Sequence, residues 1–263
     1  MKQKVVFIGA GNVATQLSIA MQDAGFDIVQ VFSRTEESAR RLANRLNGTD
    51  CSYVVQPDAI IPNGDLYIFA VKDDALEDVI KKIPSNDGLW IHTAGSLPID
   101  LFDGYAARYG VIYPMQTLSK NRRAIFSSIP LLIEGNTPES AADISVIAGA
   151  LSGDVRLMPS EKRKYLHLAA VFACNFTNRM YAIAAQILRE HGIDWQLLQP
   201  LIDETAAKLH TLHPEQAQTG PAIRYDRNVI DRHLAMLKDS DIREIYELIS
   251  QNIHQTHLQK TNK

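Results

Sequence analysis

The segment Val5-Val6-Phe7-Ile8-Gly9-Ala10-Gly11-Asn12-Val13-Ala14 decides how this chain folds. Residues 5–8 are apolar on both faces, which suits a strand covered by helices on each side, as in a parallel sheet. Gly9 permits a tight turn off that strand, and Gly11 leaves the backbone open to close approach by a ligand. Ala14 is small enough for helix–strand contact. Val13, Leu17, Ala20, Met21 and Ala24 then recur at intervals of three and four, so a helix follows, with Gly25 as its left-handed stop. Strand, G-x-G-x-x-G/A and helix, in that order, form the context in which free N–H groups at a helix N-terminus receive a dinucleotide pyrophosphate. A structural glycine turn in a nucleotide-free α/β domain is the alternative.

The alternation continues outward. Residues 28–32 read as a second strand, and 36–46 as a second helix closed by Asn47-Gly48. Residues 66–71 and 89–93 read as buried strands with a helix at 76–83 between them, and 111–113 and 130–133 as shorter strands. Pro138, following Thr137, opens a helix to about Leu151. Such a series implies βαβ units. After a strand at 155–158 the pattern turns helical. Ser160 is placed to cap, Glu161 favours the positive end of the dipole, and neither glycine nor proline interrupts the helix before Gly192. Helices at 195–212 (kinked or restarted at Pro200), 228–238 and 241–258 follow, then a polar tail at 259–263. The expected fold is α/β: an N-terminal Rossmann dinucleotide-binding domain, residues 1–155, with a C-terminal all-helical domain, residues 156–263, for substrate and dimerisation.

Composition narrows the partners. The 263 residues are 46% hydrophobic and 22% charged, with a net charge of −3. That is a globular composition without global attraction to nucleic acid or anionic membranes. The apolar run at 5–8 is too short for a signal-peptide core, and no stretch approaches the ~18 apolar residues of a membrane span. Cys51 and Cys174 lie far apart, without CxxC spacing, and are expected to be reduced and buried. The histidines 191, 210, 213, 233, 254 and 257 show no HxxxH or HxH spacing, so no metal site is expected. A cytoplasmic protein is the economical reading.

At the end of the second strand, dinucleotide sites that hold both ribose hydroxyls carry an acidic residue. Here Ser33-Arg34-Thr35 stands instead. An arginine fork with two hydroxyls beside a helix start makes a cradle for a 2′-phosphate, which points to NADP rather than NAD. The alternative leaves Arg34 solvated and gives Ser33 or Thr35 a capping role.

From Tyr165 to Asn178 the long helix carries no charged side chain other than His167 when protonated, and Leu166, Ala169, Ala170, Ala173, Phe176 and Met180 are expected to be buried. Lys164, His167, Asn175 and Asn178 would project within roughly 80° of one another in a regular α-helix. A polar stripe on an apolar helix lines a cleft or meets a polar partner. His167 is therefore a candidate proton donor to a carbonyl or imine, and Asn175 a candidate orienting group, about 12 Å further along the axis. Helix cross-linking is the other role open to both. His92, at a strand end, is the rival donor or substrate contact. Thr219 and Arg224, flanking Gly220-Pro221, either face an anionic substrate or end a helix beside an Arg224–Asp226 pair.

The phosphate loop, Ser33-Arg34-Thr35 and Ala70-Val71-Lys72-Asp73 resemble pyrroline-5-carboxylate reductase and deazaflavin-dependent NADP oxidoreductases. Farther on, His92-Thr93-Ala94-Gly95-Ser96, Tyr113-Pro114-Met115-Gln116-Thr117, Val171-Phe172-Ala173-Cys174-Asn175-Phe176 and Thr219-Gly220-Pro221-Ala222 are similar to a family of Rossmann-plus-helical oxidoreductases. That second resemblance covers nearly the whole chain. It implies the 6-phosphogluconate dehydrogenase-like fold, in which the helical domain commonly dimerises and completes the site. It implies that Gly9, Ala10, Gly11, Asn12 and Val13 meet the pyrophosphate, and that Ser33, Arg34 and Thr35 meet the 2′-phosphate. Ala70, Val71 and Lys72 would lie along the ribose and nicotinamide, with Thr93 and Ala94 near the ring. One departure stands out. Hydroxyacid dehydrogenases of this superfamily carry a lysine four residues before the helix asparagine, and Val171 occupies that position before Asn175.

These readings converge on an NADP(H)-dependent oxidoreductase moving a hydride between nicotinamide and a small carbonyl, imine or deazaflavin partner. A dinucleotide-binding sensor or scaffold without turnover is the competing class. Ala169, Ala170, Ala173, Ala182, Ala184 and Ala185 give the long helix a face suited to close packing, and a two-fold homodimer through the C-terminal helices is expected.

Overall fold

The computed structural model describes residues 2–46 and 50–261, with side chains as far as residue 259. Asn47 and Gly48, expected to close the second helix, lie outside the described residues. Two compact units divide the chain, Met1–Asn175 and Phe176–Lys263.

The first unit is built on β1 (Lys4–Ile8), β2 (Asp27–Phe32), β3 (Ser52–Val54), β4 (Leu66–Phe69), β5 (Leu89–His92), β6 (Tyr109–Pro114), β7 (Leu131–Gly135) and β8 (Val155–Leu157). They form one sheet in the order β3-β2-β1-β4-β5-β6-β7-β8. Pairing is parallel from β3 through β6, antiparallel between β6 and β7, and parallel again to β8. Chain order reverses between β1 and β4, and open α/β sheets bind ligands beyond the strand ends at such a switch point.

Helices cover both faces: α1 (Asn12–Asp23), α2 (Glu36–Ala43), α3 (Asp73–Ile80) and α4 (Pro138–Gly149). Val5, Phe7, Leu17, Ile68 and Ile91 are buried in one apolar layer, and Val6, Ile8, Phe69, Trp90 and Phe102 in the other. Successive residues of one strand thus enter opposite layers, which is why these strands read as unbroken apolar runs. Gly25 ends α1 at φ +95°, as its position predicts. Thr137 caps α4 by accepting a hydrogen bond from the Ser140 N–H, 3.1 Å.

The first long helix after β8, α5 (Ser160–Ala170), belongs with the sheet rather than with the helices that follow, twenty residues beyond the boundary expected from sequence. The reason is Arg163, which is wholly buried. Its guanidinium donates to Glu134 Oε2 of β7 at 2.6 Å, to the Leu97 carbonyl at 2.7 Å and to Ser160 Oγ at 3.0 Å. A buried cation is costly unless its charge is met, and here one carboxylate and the surrounding oxygens meet it. Ser160 does not cap α5. Pro159 occupies the cap position, and the Ser160 hydroxyl donates to Glu134 Oε2 at 2.6 Å.

The long helix also departs from regularity. Residues Val171–Phe176 form a π-helical turn before α6 (Thr177–Glu190). A π turn carries an extra residue and recurs at functional sites, so the regular angular count that grouped Asn178 with His167 does not run through it. Lys164, expected on the same stripe, pairs with exposed Glu161 at 2.5 Å instead.

The second unit comprises α6, α7 (Gln199–Ala207), α8 (Pro214–Ala217), α9 (Pro221–Arg224), α10 (Arg227–Met236) and α11 (Ser240–Thr261). Pro200 starts α7 rather than kinking it. Residues 259–261, expected as tail, continue α11. His233 Nδ1 and Tyr246 Oη meet at 2.8 Å, tying α10 to α11, and His254 Nδ1 donates to the Ile223 carbonyl at 3.0 Å while its ring stacks on Tyr225. These two histidines are cross-links between helices.

Candidate active site

Five strand ends build the site. Gly9-Ala10-Gly11 follows β1, Ser33-Arg34-Thr35 follows β2, Ala70-Val71-Lys72 follows β4, Thr93-Ala94-Gly95 follows β5, and Met115-Gln116-Thr117 follows β6. Backbone bonds hold these ends together: the Gly9 N–H donates to the Phe32 carbonyl at 2.8 Å, Ala70 to Ile8 at 2.7 Å, and Thr93 to Phe69 at 3.1 Å. Gly9 adopts φ +121°, and a Cβ there would lie 2.3 Å from the Ala70 carbonyl oxygen. No other residue fits that turn.

A cavity of about 240 Å³ is lined by Gly9, Ala10, Gly11, Ser33, Arg34, Ser38, Val71, Lys72 and Lys120, among others. Thr35 stands beside it as the cap residue of α2, without a side-chain capping bond. Among the described residues the lining contains no acidic side chain. Arg34, Lys72 and Lys120 have no carboxylate partner among the described residues. A glycine cradle with uncompensated positive charge fits a phosphorylated dinucleotide. Gly9 to Val13 would hold the pyrophosphate at the α1 N-terminus, and Ser33, Arg34 and Thr35 the 2′-phosphate.

This cavity shares Gly11, Ala70, Val71 and Lys72 with a second one of about 650 Å³. The second is lined further by Asn12, Val13, Asp73, Thr93, Ala94, Gly95, Tyr113, Gln116, Thr117, His167, Cys174 and Asn175. His167 and Asn175, expected from the long helix, therefore do reach one cavity with Thr93 and Ala94. Cys174 and Asn175 are neighbours in sequence yet both line it, as a wide π turn allows. Cys174, expected buried, is exposed.

Tyr113 Oη lies 2.9 Å from His167 Nδ1, with the rings edge-on at 75°. Burial above all, and Cys174 beside it, push the Tyr113 hydroxyl above its ordinary pKa, against a smaller opposing effect of Arg163. It stays protonated at neutral pH. His167 Nε2 makes no hydrogen bond among the described residues. Gly95 keeps the pair open, because a Cβ there would lie 2.7 Å from His167 Nδ1 and 2.8 Å from Tyr113 Cζ. Sequence reasoning had no role for Tyr113. It stood only within a motif of resemblance, and no spacing links β6 to α5.

His92 does not line the cavity. It is fully buried, packs on Phe102 with centroids 5.7 Å apart, and accepts the Ala94 N–H on Nδ1 at 3.2 Å. Desolvation first, then the Arg163 charge, lower its pKa to about 3. A histidine held neutral supports the turn at Thr93-Ala94 from behind rather than delivering protons. Thr219 and Arg224 are exposed in the second unit and line neither cavity. Asp226 caps α10 through the Val229 N–H at 3.3 Å and forms no ion pair with Arg224.

Comparison with known proteins agrees with this geometry. Residues 4–94 match the family model described as NADP oxidoreductase, coenzyme F420-dependent, and residues 129–253 match a domain of unknown function. No protein of curated function matches the chain. A solved protein from Bacteroides fragilis, assigned as an NADP oxidoreductase, is 47% identical over 97% of this chain and 98% of its own, with a TM-score of 0.90. Two more distant structures share the fold. An imine reductase from Myxococcus stipitatus in complex with NADP+ is 17% identical over 98% of this chain and 94% of its own, TM-score 0.65. Pyrroline carboxylate reductase from Plasmodium falciparum with NADP bound is 13% identical over 96% and 98%, TM-score 0.55. On the strength of the Bacteroides relative, this chain belongs to the family of NADP oxidoreductases, with NADP as its cofactor.

Proposed function

We propose that the protein reduces the carbonyl or imine group of a small substrate, with the Tyr113–His167 pair delivering the proton. The observation that carries this reading is the 2.9 Å contact between those side chains in the cavity that adjoins the phosphate loop. NADPH, when bound, supplies the hydride. Gly9, Ala10, Gly11, Asn12 and Val13 bind its pyrophosphate, while Thr93, Ala94 and Val71 shape the place for the reacting ring. Tyr113 occupies His167 Nδ1, which leaves Nε2 as the atom facing substrate. A protonated His167 donates through Nδ1 to the neutral tyrosine oxygen and presents Nε2–H to the developing negative charge on oxygen or nitrogen. Asn175 orients the substrate from the same helix. A deazaflavin is the third partner class this site admits.

The homodimer belongs to the same proposal. In the second unit Leu197, Leu201, Met236 and Leu248 are each more than 60% exposed and Ile193, Leu209, Leu212, Ile249 and Leu258 more than 40%, while among the described residues only Ile183, Ile230, Leu234 and Ile242 are buried apolar residues. Helices that expose more large apolar side chains than they bury need a partner surface. Among the described residues no helix is long and apolar enough to cross a membrane. The exposed Cys174 thiol and the free Cys51 suit a reducing, cytoplasmic setting.

The test is NADPH oxidation across carbonyl compounds, cyclic and acyclic imines and an oxidised deazaflavin, with binding measured in parallel. Turnover on at least one class supports the reading. Tight NADPH binding without turnover on any of them would replace it with the dinucleotide sensor.

A further inference from the structure

We propose that Lys120 is a phosphate ligand of the cofactor, carried by a strap that the dinucleotide fingerprint does not contain. Lys120 lines the 240 Å³ cavity together with Gly11, Ser33 and Arg34. It comes from the segment between β6 and β7, more than a hundred residues beyond the phosphate loop.

Its position is built rather than incidental. Ser119 and Arg122 pair as an antiparallel bridge, which puts Lys120 at the tip of a tight turn. Both ends of that turn are held by one side chain, Gln16, which is 2% exposed. The Gln16 amide donates to the Ser119 carbonyl at 2.7 Å, and its oxygen accepts the Ala124 N–H at 2.9 Å. Arg45 Nη1 donates to the Lys120 carbonyl at 3.0 Å. Gln16 stands one turn after Asn12, the first residue of α1, so the backbone of Lys120 is fixed relative to the helix that receives the pyrophosphate.

Charge points the same way. Arg41, Lys81, Arg123 and Arg156 each meet a carboxylate within the chain. Lys120, Arg34 and Lys72 do not, among the described residues, and they converge on one cavity without an acidic wall. Cations left together repel unless a multivalent anion enters between them. A phosphate of NADP is such an anion, and the family supplies it. The same strap carries Gln116 and Thr117 into the larger cavity, so anchoring at Lys120 also fixes one wall of the substrate space.

Titration calorimetry of Lys120→Met and Lys120→Arg with NADPH and with NADH tests this without reference to turnover. Among the described residues the Lys120 side chain forms no hydrogen bond or ion pair, so the methionine variant is expected to keep the wild-type melting temperature. Its NADPH affinity is expected to fall about tenfold, one charge-assisted contact, with arginine restoring most of the loss. A loss confined to NADPH places Lys120 on the 2′-phosphate, and an equal loss for NADH places it on the pyrophosphate. Unchanged affinity for both dinucleotides overturns the proposal.

Discussion

Tyr113 and His167 meet at 2.9 Å across Gly95, joining the end of a sheet strand to the last turn of α5 before the helix widens. A hydroxyl raised by burial and an imidazole with its second nitrogen free make a directional pair. The tyrosine fixes the ring, and the ring offers Nε2 to the cavity.

Removing the imidazole should therefore cost rate rather than cofactor affinity. His167→Ala is expected to lower kcat by roughly 10²–10⁴-fold while NADPH binds as before. Tyr113→Phe, which frees the ring without removing it, should cost less. If His167→Ala lowers only the melting temperature and spares the rate per folded molecule, the histidine is a helix cross-link.

Gly95 gives a test that leaves both partners in the sequence. Gly95→Ala would place a methyl group 2.7 Å from His167 Nδ1, well inside van der Waals contact, so the pair must separate. The expected outcome is a turnover defect approaching that of His167→Ala, with Gly9-dependent cofactor binding intact. Wild-type kcat in this variant would show that the 2.9 Å contact is dispensable.

Cofactor choice rests on Arg34. NADPH should bind at least tenfold more tightly than NADH, about 1.4 kcal/mol, from one charge-assisted fork. Arg34→Asp should erase or invert that preference, since a carboxylate repels a 2′-phosphate and accepts ribose hydroxyls. Equal titration curves for the two dinucleotides in the wild type would refute the assignment.

The exposed leucines of the second unit bear on assembly. Sedimentation equilibrium at micromolar concentration should give twice the 29.3 kDa chain mass, and Leu201→Glu, at a side chain 63% exposed, should weaken that association without unfolding the sheet unit. A species near one chain mass in the wild type would remove the homodimer.

The sheet was legible because its strands are buried on both faces and read as apolar runs. β3 was not, since its three residues form an edge with Ser52 and Tyr53 exposed. The phosphate loop was legible because Gly9 has a local steric reason, the Ala70 carbonyl where a Cβ would stand, and Gly11 leaves the backbone open to a ligand. The Tyr113–His167 pair was not, because it joins residues 54 positions apart. Arg163 looks like one more charge in a polar helix start, and only the tertiary carboxylate of Glu134 explains its burial. His92 had a readable clue that the strand-end argument overlooked. It lies two positions after Trp90, and alternation sends both side chains into the same apolar layer, against Phe102.

That burial gives His92 a pH signature of its own. Its pKa falls from the ordinary 6.5 to about 3 in the folded chain, through desolvation first and the Arg163 charge second. Between those values the unfolded chain binds a proton at this site that the native chain does not. Stability from this group is therefore fully present above about pH 6.5 and is lost as pH falls towards 3, with a slope of up to ~1.4 kcal/mol per pH unit. Carboxylates also titrate at the acid end of that range, so the informative quantity is the difference between wild type and His92→Phe at pH 4.5–6.5 in denaturant melts. The phenylalanine fills the space beside Phe102 but strands the Ala94 N–H, so the variant should be less stable at neutral pH. Its deficit should shrink steadily as the pH drops. A deficit that stays constant over the window would mean that His92 is protonated or solvated in the native state, and would return it to the cavity as a candidate acid.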